Sequence, residues 1–201
     1  MECNDKNMYQ SLNWCQGKPV YPGIRSKAYY IPKRSIVKFP VLPDEVAKDG
    51  TLKDLVTYKE DFILAADTKW LELDIITKES PVTSEAQGEM PCVTSLNKAT
   101  FKYPSVEEEA TAFARQANND DLIYLFQQRN GKFRVIGNEM FNTTTKVKQE
   151  NGAAETDKAG TTIEVEVTDV CPAPFYVGKI ETEAGDISGA DGSVVPEVNP
   201  G

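Results

Sequence analysis

Apolar and polar positions alternate with period two along several short runs of this chain, the pattern of half-buried strands. From Trp70 to Ile76, Leu71, Leu73 and Ile75 fall on one face and Trp70, Glu72, Asp74 and Ile76 on the other. "TTIEVEVTDV" alternates strictly, with Ile163, Val165 and Val167 inward and Glu164 and Glu166 outward. "SKAYYIPKRSIVKFPVLP" is β-branched and aromatic, but Pro32, Pro40 and Pro43 interrupt it. Proline cannot donate to a ladder, so this stretch predicts short or edge strands. "TLKDLVTYKEDFILAADTKWLELDIITK" predicts one or two more.

The sharpest local signal is "QQRNGKFRVIG". Asn130-Gly131 between two alternating runs predicts a hairpin closed by a two-residue type I′ turn. In that register Arg129 faces Lys132, Gln128 faces Phe133 and Phe126 faces Val135. Tyr124, Phe126, Phe133 and Val135 then share one face, and Ile123, Leu125 and Ile136 the other. Apolar residues on both faces predict cover on both sides, by a helix on one. The tip, Arg129, Asn130, Gly131 and Lys132, is left as a candidate contact for a neighbour.

Only "SVEEEATAFARQANND" carries helical periodicity, with Val106, Ala110, Phe113, Ala114 and Ala117 on one stripe. Ser105 and Glu108 have the spacing of a capping box. Glu107, Glu108 and Glu109 suit the positive end of the helix dipole. Asp120-Asp121 after it reads as a helix-to-strand turn, because adjacent strand residues point to opposite faces and do not converge for chemistry.

Residues 77–104 are polar and proline-interrupted. They predict an extended hairpin or a long loop that leaves the core, since so long a structureless stretch is unusual inside a domain. Residues 1–23 predict an arm that packs late or on a partner. Residues 181–201, rich in Gly, Pro and acids, predict a tail that is disordered alone. The fold class expected is mainly β (α+β). It is a β-sandwich or partly closed barrel over 24–180, with one flanking helix at about 105–118, a long polar hairpin or loop at about 77–100, and extended terminal arms. Runs of strands with a single helix argue against a doubly wound parallel sheet.

Composition narrows the function. The 201 residues carry a net charge of −9, which repels phosphate backbones rather than neutralising them. Histidine is absent, removing the commonest general base and zinc ligand. Cys3, Cys15, Cys92 and Cys171 show no Cys-x-x-Cys spacing and predict reduced, mostly buried thiols. No leader and no apolar run of membrane-spanning length is present in the sequence given. Phosphate-cradling glycine patterns are missing. "DISGADG" resembles calcium loops only loosely and does not match the EF-hand pattern. Neither catalysis, a metal nor a cofactor is expected.

The acidic strand rows, Glu72 with Asp74 and Glu164 with Glu166, have two readings. They are a solvated outer sheet face, or they line a surface shared by identical copies. In a ring they would form an acidic wall past which DNA slides by like-charge repulsion. A glycosidase carboxylate pair has no sugar cleft nearby to support it.

Several stretches together resemble one family: "YPGIRSKAYYIPKRSIVKFP", "KWLELDI" followed by "SEAQGE", the helix after "YPSVEEEA", "DDLIYLFQQRNGKFRVIGNE", "NGAAETDKAGTTIEVEV" and "CPAPFYVG". Their order is similar to that of the tail tube (major tail) proteins of long-tailed bacteriophages, especially those of phages and prophages of Bacteroides-like bacteria. The resemblance implies hexameric rings stacked into a tube, with inner strands joined around a lumen and loops and arms bridging rings. It implies a structural virion protein assembled in the host cytoplasm, whose partners are copies of itself, other tail proteins and DNA in transit, with no membrane. Rival readings are a tail terminator, a capsid decoration protein, the tube of a contractile system, a monomeric β-sandwich binding module, and a carboxylate-dependent enzyme.

Overall fold

A computed structural model describes residues 9, 11–47 and 49–196. After an arm that turns at Cys15–Lys18, the chain forms β1 (Ile24–Pro32), β2 (Ile36–Lys38), β3 (Thr57–Tyr58), β4 (Ile63–Leu64) and β5 (Leu71–Asp74). A hairpin of β6 (Val82–Gln87) and β7 (Thr94–Tyr103) leads into α1 (Glu108–Ala117). Then come β8 (Leu122–Gln128), β9 (Phe133–Ile136), β10 (Thr144–Glu150) and β11 (Gly160–Asp169). The short strands β12 (Phe175–Tyr176), β13 (Lys179–Thr182) and β14 (Gly185–Ser188) finish the fold.

The protein is mainly β, of α+β type, and among the described residues no sheet closes into a barrel. Two sheets carry it: a six-stranded one ordered β3-β12-β9-β8-β1-β5 and a four-stranded one ordered β10-β11-β7-β6. They face each other across a core in which Ala28, Leu73, Tyr124, Phe126 and Ile136 of the first meet Ala99, Phe101, Ile163, Val165 and Val167 of the second. The second face of the six-stranded sheet is covered too. Ile31, Ile123, Leu125, Phe133 and Val135 pack under Tyr58, Phe62, Trp70, Tyr176 and Ile180. Phe62 stands 5.4 Å from Trp70 and 5.2 Å from Tyr176, ring centre to ring centre. Both faces of β8 are therefore dry, which explains its unbroken apolar run.

The hairpin forms, but one residue out of the expected register. Tyr124 pairs with Ile136, Leu125 with Val135 and Gln127 with Phe133. The loop spans Arg129, Asn130 and Gly131, closed by Gln128 N donating to Lys132 O (2.9 Å) and Gly131 N to Gln128 O (2.9 Å). Gly131 takes φ +93° while Asn130 stays at negative φ, so the turn is a three-residue loop with glycine in the left-handed position, not a type I′ turn. A shift of one residue swaps faces. Phe133 and Val135 join Ile123 and Leu125, and Ile136 joins Tyr124 and Phe126. Phe133 thereby reaches Tyr29, at 6.0 Å between rings.

Three other expectations are revised. Helix α1 begins at Glu108 with Glu107 as its N-cap residue and no side-chain cap. Ser105 Oγ instead accepts from Glu107 N at 3.1 Å, so the Ser105–Glu108 capping box does not form. The 77–104 excursion is a hairpin, but it does not leave the core: Ala99 and Phe101 of β7 are buried. The C-terminal stretch, as far as it is described, is folded. β13 pairs with β14, Ile187 bridges Val194, and Ile180 and Thr182 are buried.

Candidate assembly surfaces

The four candidate lumen carboxylates fall on two different sheets. Glu164 and Glu166 share the outward face of β11, where Glu164 lies between Lys146 and Thr100, and Glu166 between Thr144 and Lys98. Lys148 Nζ donates to Glu164 at 2.7 Å. Lys102 lies over the same face, donating to Thr162 Oγ1 (3.0 Å) and 3.7 Å from Glu150. Glu85 belongs to this row as well, opposite Leu96. The face is an acid-and-lysine lattice, not a uniformly acidic wall. The alternation along β11 reveals the glutamates, whereas their lysine neighbours come from β7 and β10 and only strand order brings them together.

Glu72 and Asp74 lie on edge strand β5, with Asp74 opposite Lys27 and Glu72 opposite Tyr29. Glu72 makes an ion pair with Lys27. That hydrogen bond raises the Lys27 pKa above the ordinary lysine value. Burial, reinforced by the Glu72 charge, raises that of Tyr29. This pair and the β11 pair do not converge on one surface strip.

The hairpin tip leans on its own molecule. Gln127 Nε2 donates to Gly131 O (2.8 Å) and to Asp191 O (2.9 Å), which ties the tip to the loop after β14. Arg129 N donates to Gly23 O at 3.3 Å, and Asn130 Oδ1 accepts from Lys132 N at 3.1 Å. Gly131 is buried, while Arg129, Asn130 and Lys132 expose their side chains. In "DISGADG", Asp186 pairs with Lys179 at 3.2 Å and Asp191 turns back on Ser193 N (2.9 Å) and Oγ (2.7 Å). Those Ser193 bonds hold the Asp191 carboxyl below its ordinary pKa. Asp120 and Asp121 do the work of a turn. Asp120 is paired with Arg34, while Asp121 lies 3.4 Å from Lys33 and accepts from Thr143 N at 2.9 Å.

The thiols depart from expectation. Cys15 on the arm and Cys92 in the β6–β7 turn are exposed, Cys171 is half-buried, and all three are free. Cys3 lies outside the described residues. Burial pushes the Cys171 thiol up to about 11, so it is not a poised nucleophile. Its backbone belongs to a polar knot that no periodic pattern along the chain marks. Asn97, fully buried, accepts from Ser84 Oγ (2.6 Å) and Ala173 N (2.9 Å) and donates to Cys171 O (3.2 Å). Beside this knot Asp169 is buried and its pKa is raised by that burial. Arg134 packs its guanidinium 4.2 Å from the centre of the Phe175 ring and donates to Ala173 O.

Among the described residues three features have no internal partner that explains them. The first is the arm over residues 11–22: Leu12 is 100% exposed, Trp14 69%, Val20 78% and Tyr21 62%. The second is an apolar cleft of about 190 Å³ between α1 and the two sheets, lined by Tyr30, Leu73, Tyr103, Phe113 and Ile163 and rimmed by Glu72 and Glu109. The third is strand β6. The two edges of the four-stranded sheet differ. On β10, Asn118 Oδ1 accepts from Val147 N at 2.7 Å and Thr111 reaches Gln149, so α1 covers that edge. On β6 no described backbone group pairs with the open side.

Among the described residues no helix is long and apolar enough to cross a membrane, and no three acidic, Cys or His side chains gather as a metal site. No protein-family description matches the chain, and neither the curated proteins nor the solved structures compared with it match.

Proposed function

We propose that the chain is a structural subunit of a bacteriophage tail tube, not an enzyme. Copies would associate into hexameric rings, and rings would stack into a conduit for DNA. It would act in the virion tail after assembly in the host cytoplasm, alongside other tail proteins.

The observation that carries this reading is the arm. Leu12, Trp14, Val20 and Tyr21 leave water only when something else covers them. A single-domain chain with a completed core gains nothing by displaying so many large side chains on one segment, unless the cover is another molecule. The resemblance of the quoted sequence stretches, in their order along the chain, to tail tube proteins supplies the class of assembly.

In this reading the four-stranded sheet's outer face, with Glu164 and Glu166, is the better lumen candidate. It is broad, exposed and free of large apolar side chains other than Leu96. Its interleaved lysines cancel much of the repulsion an acidic wall would exert, and its carboxylates cancel the attraction bare lysines would exert. DNA would pass without being held.

Sedimentation velocity across a concentration series tests the assembly. The expected result is a species of six times the 22.2 kDa chain mass, giving way to larger particles. A single monomeric boundary at all concentrations, also with other tail proteins present, would contradict the reading.

A further inference from the structure

We infer that the open edge of β6 is a docking site for one strand, the N-terminal arm of a second copy, entered through residues around Leu12 and Trp14. This deepens the tail-tube reading by naming a contact between copies.

Thr100 N donates to Pro81 O at 2.9 Å. In an antiparallel pair the bonded positions alternate. Thr83–Lys98 and Glu85–Leu96 are therefore the bonded pairs, and the N–H and C=O groups of Val82, Ser84 and Ala86 point to the open side. An unpaired strand edge templates another strand. β6 offers six residues without proline or lysine, the residues that usually blunt such edges. The opposite edge is closed by Asn118 and α1, so addition is directed to β6.

The side chains match. Val82, Ser84 and Ala86 place small groups on the inner face of β6, and Ser84 and Ala86 are exposed. The inner face of β6 is therefore left uncovered at the edge of the sheet. Leu12 and Trp14 are two residues apart, so in an extended strand they share one face. Laid along β6, they would continue the inner layer. Met90 (90% exposed) and Val93 (51%) in the neighbouring turn would extend the apolar contact. At the edge itself charge agrees: residues 9–23 include Lys18 and no carboxylate, whereas β6 and the turn after it (82–93) carry Glu85 and Glu89 and no lysine, Lys98 and Lys102 lying one strand further in on β7. The arm departs at Gly23, beside the β8–β9 tip, and its described residues from 11 to 22 stand clear of their own body. Strand addition of this kind takes its affinity from main-chain bonds and its specificity from alternate side chains.

The probe is a dye-labelled peptide of residues 9–17 carrying Cys15→Ser, titrated by anisotropy into full-length chain carrying L12S and W14S. Those two changes remove competition from the chain's own arm. Saturable binding is expected, weakened at least tenfold when A86P is added. Proline at an outward-facing edge position blocks strand addition while leaving the β6–β7 ladder intact, and a circular dichroism melt checks that the variant folds. No binding, or equal binding to the A86P chain, overturns the inference and would place the peptide elsewhere, such as the cleft beside α1. A second readout is amide exchange in the wild-type chain. Val82, Ser84 and Ala86 should become protected as concentration rises; protection independent of concentration would mean docking of the chain's own arm and would also overturn it. Rings without β6 binding would spare the tube reading, and β6 binding without rings would spare the inference.

Discussion

Glu164 and Glu166 show what a single residue's neighbours do to its meaning. Along the strand they read as an acidic row. In the sheet they alternate with Lys98 and Lys146, and Glu164 is paired with Lys148. An exposed pair like this contributes about 0–1 kcal/mol, so its value to the protein is electrostatic more than structural. E164K/E166K should therefore fold and assemble normally, with a melting temperature within a few degrees of wild type. Assembled particles of the variant should retain at least ten times more duplex DNA at low salt in a filter-binding assay. Equal retention would take this face away from the DNA path. The same scale explains the hairpin. Asn-Gly marks a turn clearly, but Asn130 tolerates either sign of φ, so the two-residue and three-residue loops are both consistent with the letters. What selects the longer loop is remote: Phe133 fills the space beside Tyr29, and Gln127 anchors the tip to Asp191.

At the scale of elements, helix α1 has two tasks. Its apolar stripe closes the margin between the sheets, with Phe113 edge-on to Tyr30 at 5.1 Å. Its C-terminal Asn118 occupies the outward N–H of Val147 and so shields the β10 edge. Removing that acceptor by Asn118→Ala should cost about 1 kcal/mol, or roughly 2–4 °C in melting temperature for a chain of this size. Exchange of the Val147 amide should accelerate in the same variant. An unchanged melt and unchanged Val147 protection would mean that water replaces Asn118 fully. The helix and the alternating strands were legible because hydrophobic periodicity is local. Ser105 and Glu108 misled because the helix starts two residues later than the capping box places it, with Glu107 as its N-cap residue and Glu108 at the first helical position instead of the third. β7 was masked inside a polar stretch because Asn97 takes an inward position and Leu96 an outward one, which breaks the alternation. Asn97 is buried there to bind the Cys171–Ala173 segment, a contact between residues far apart in sequence.

For the whole molecule, two facing sheets and a second apolar layer make a complete core, while the arm and the β6 edge remain unmatched within one copy. The arm was legible as a polar, turn-rich lead-in. The open edge was not, since strand order decides which strand lies outermost. A chain with one exposed donor segment and one exposed acceptor edge makes head-to-tail contacts, and such contacts close into rings or run on as filaments. Negative-stain electron microscopy of the full-length protein across a concentration series addresses this most directly. Six-membered rings with a central hole, stacking into tubes as concentration rises, are the expected result. Compact single particles at every concentration, with other tail proteins present as well as absent, would contradict it.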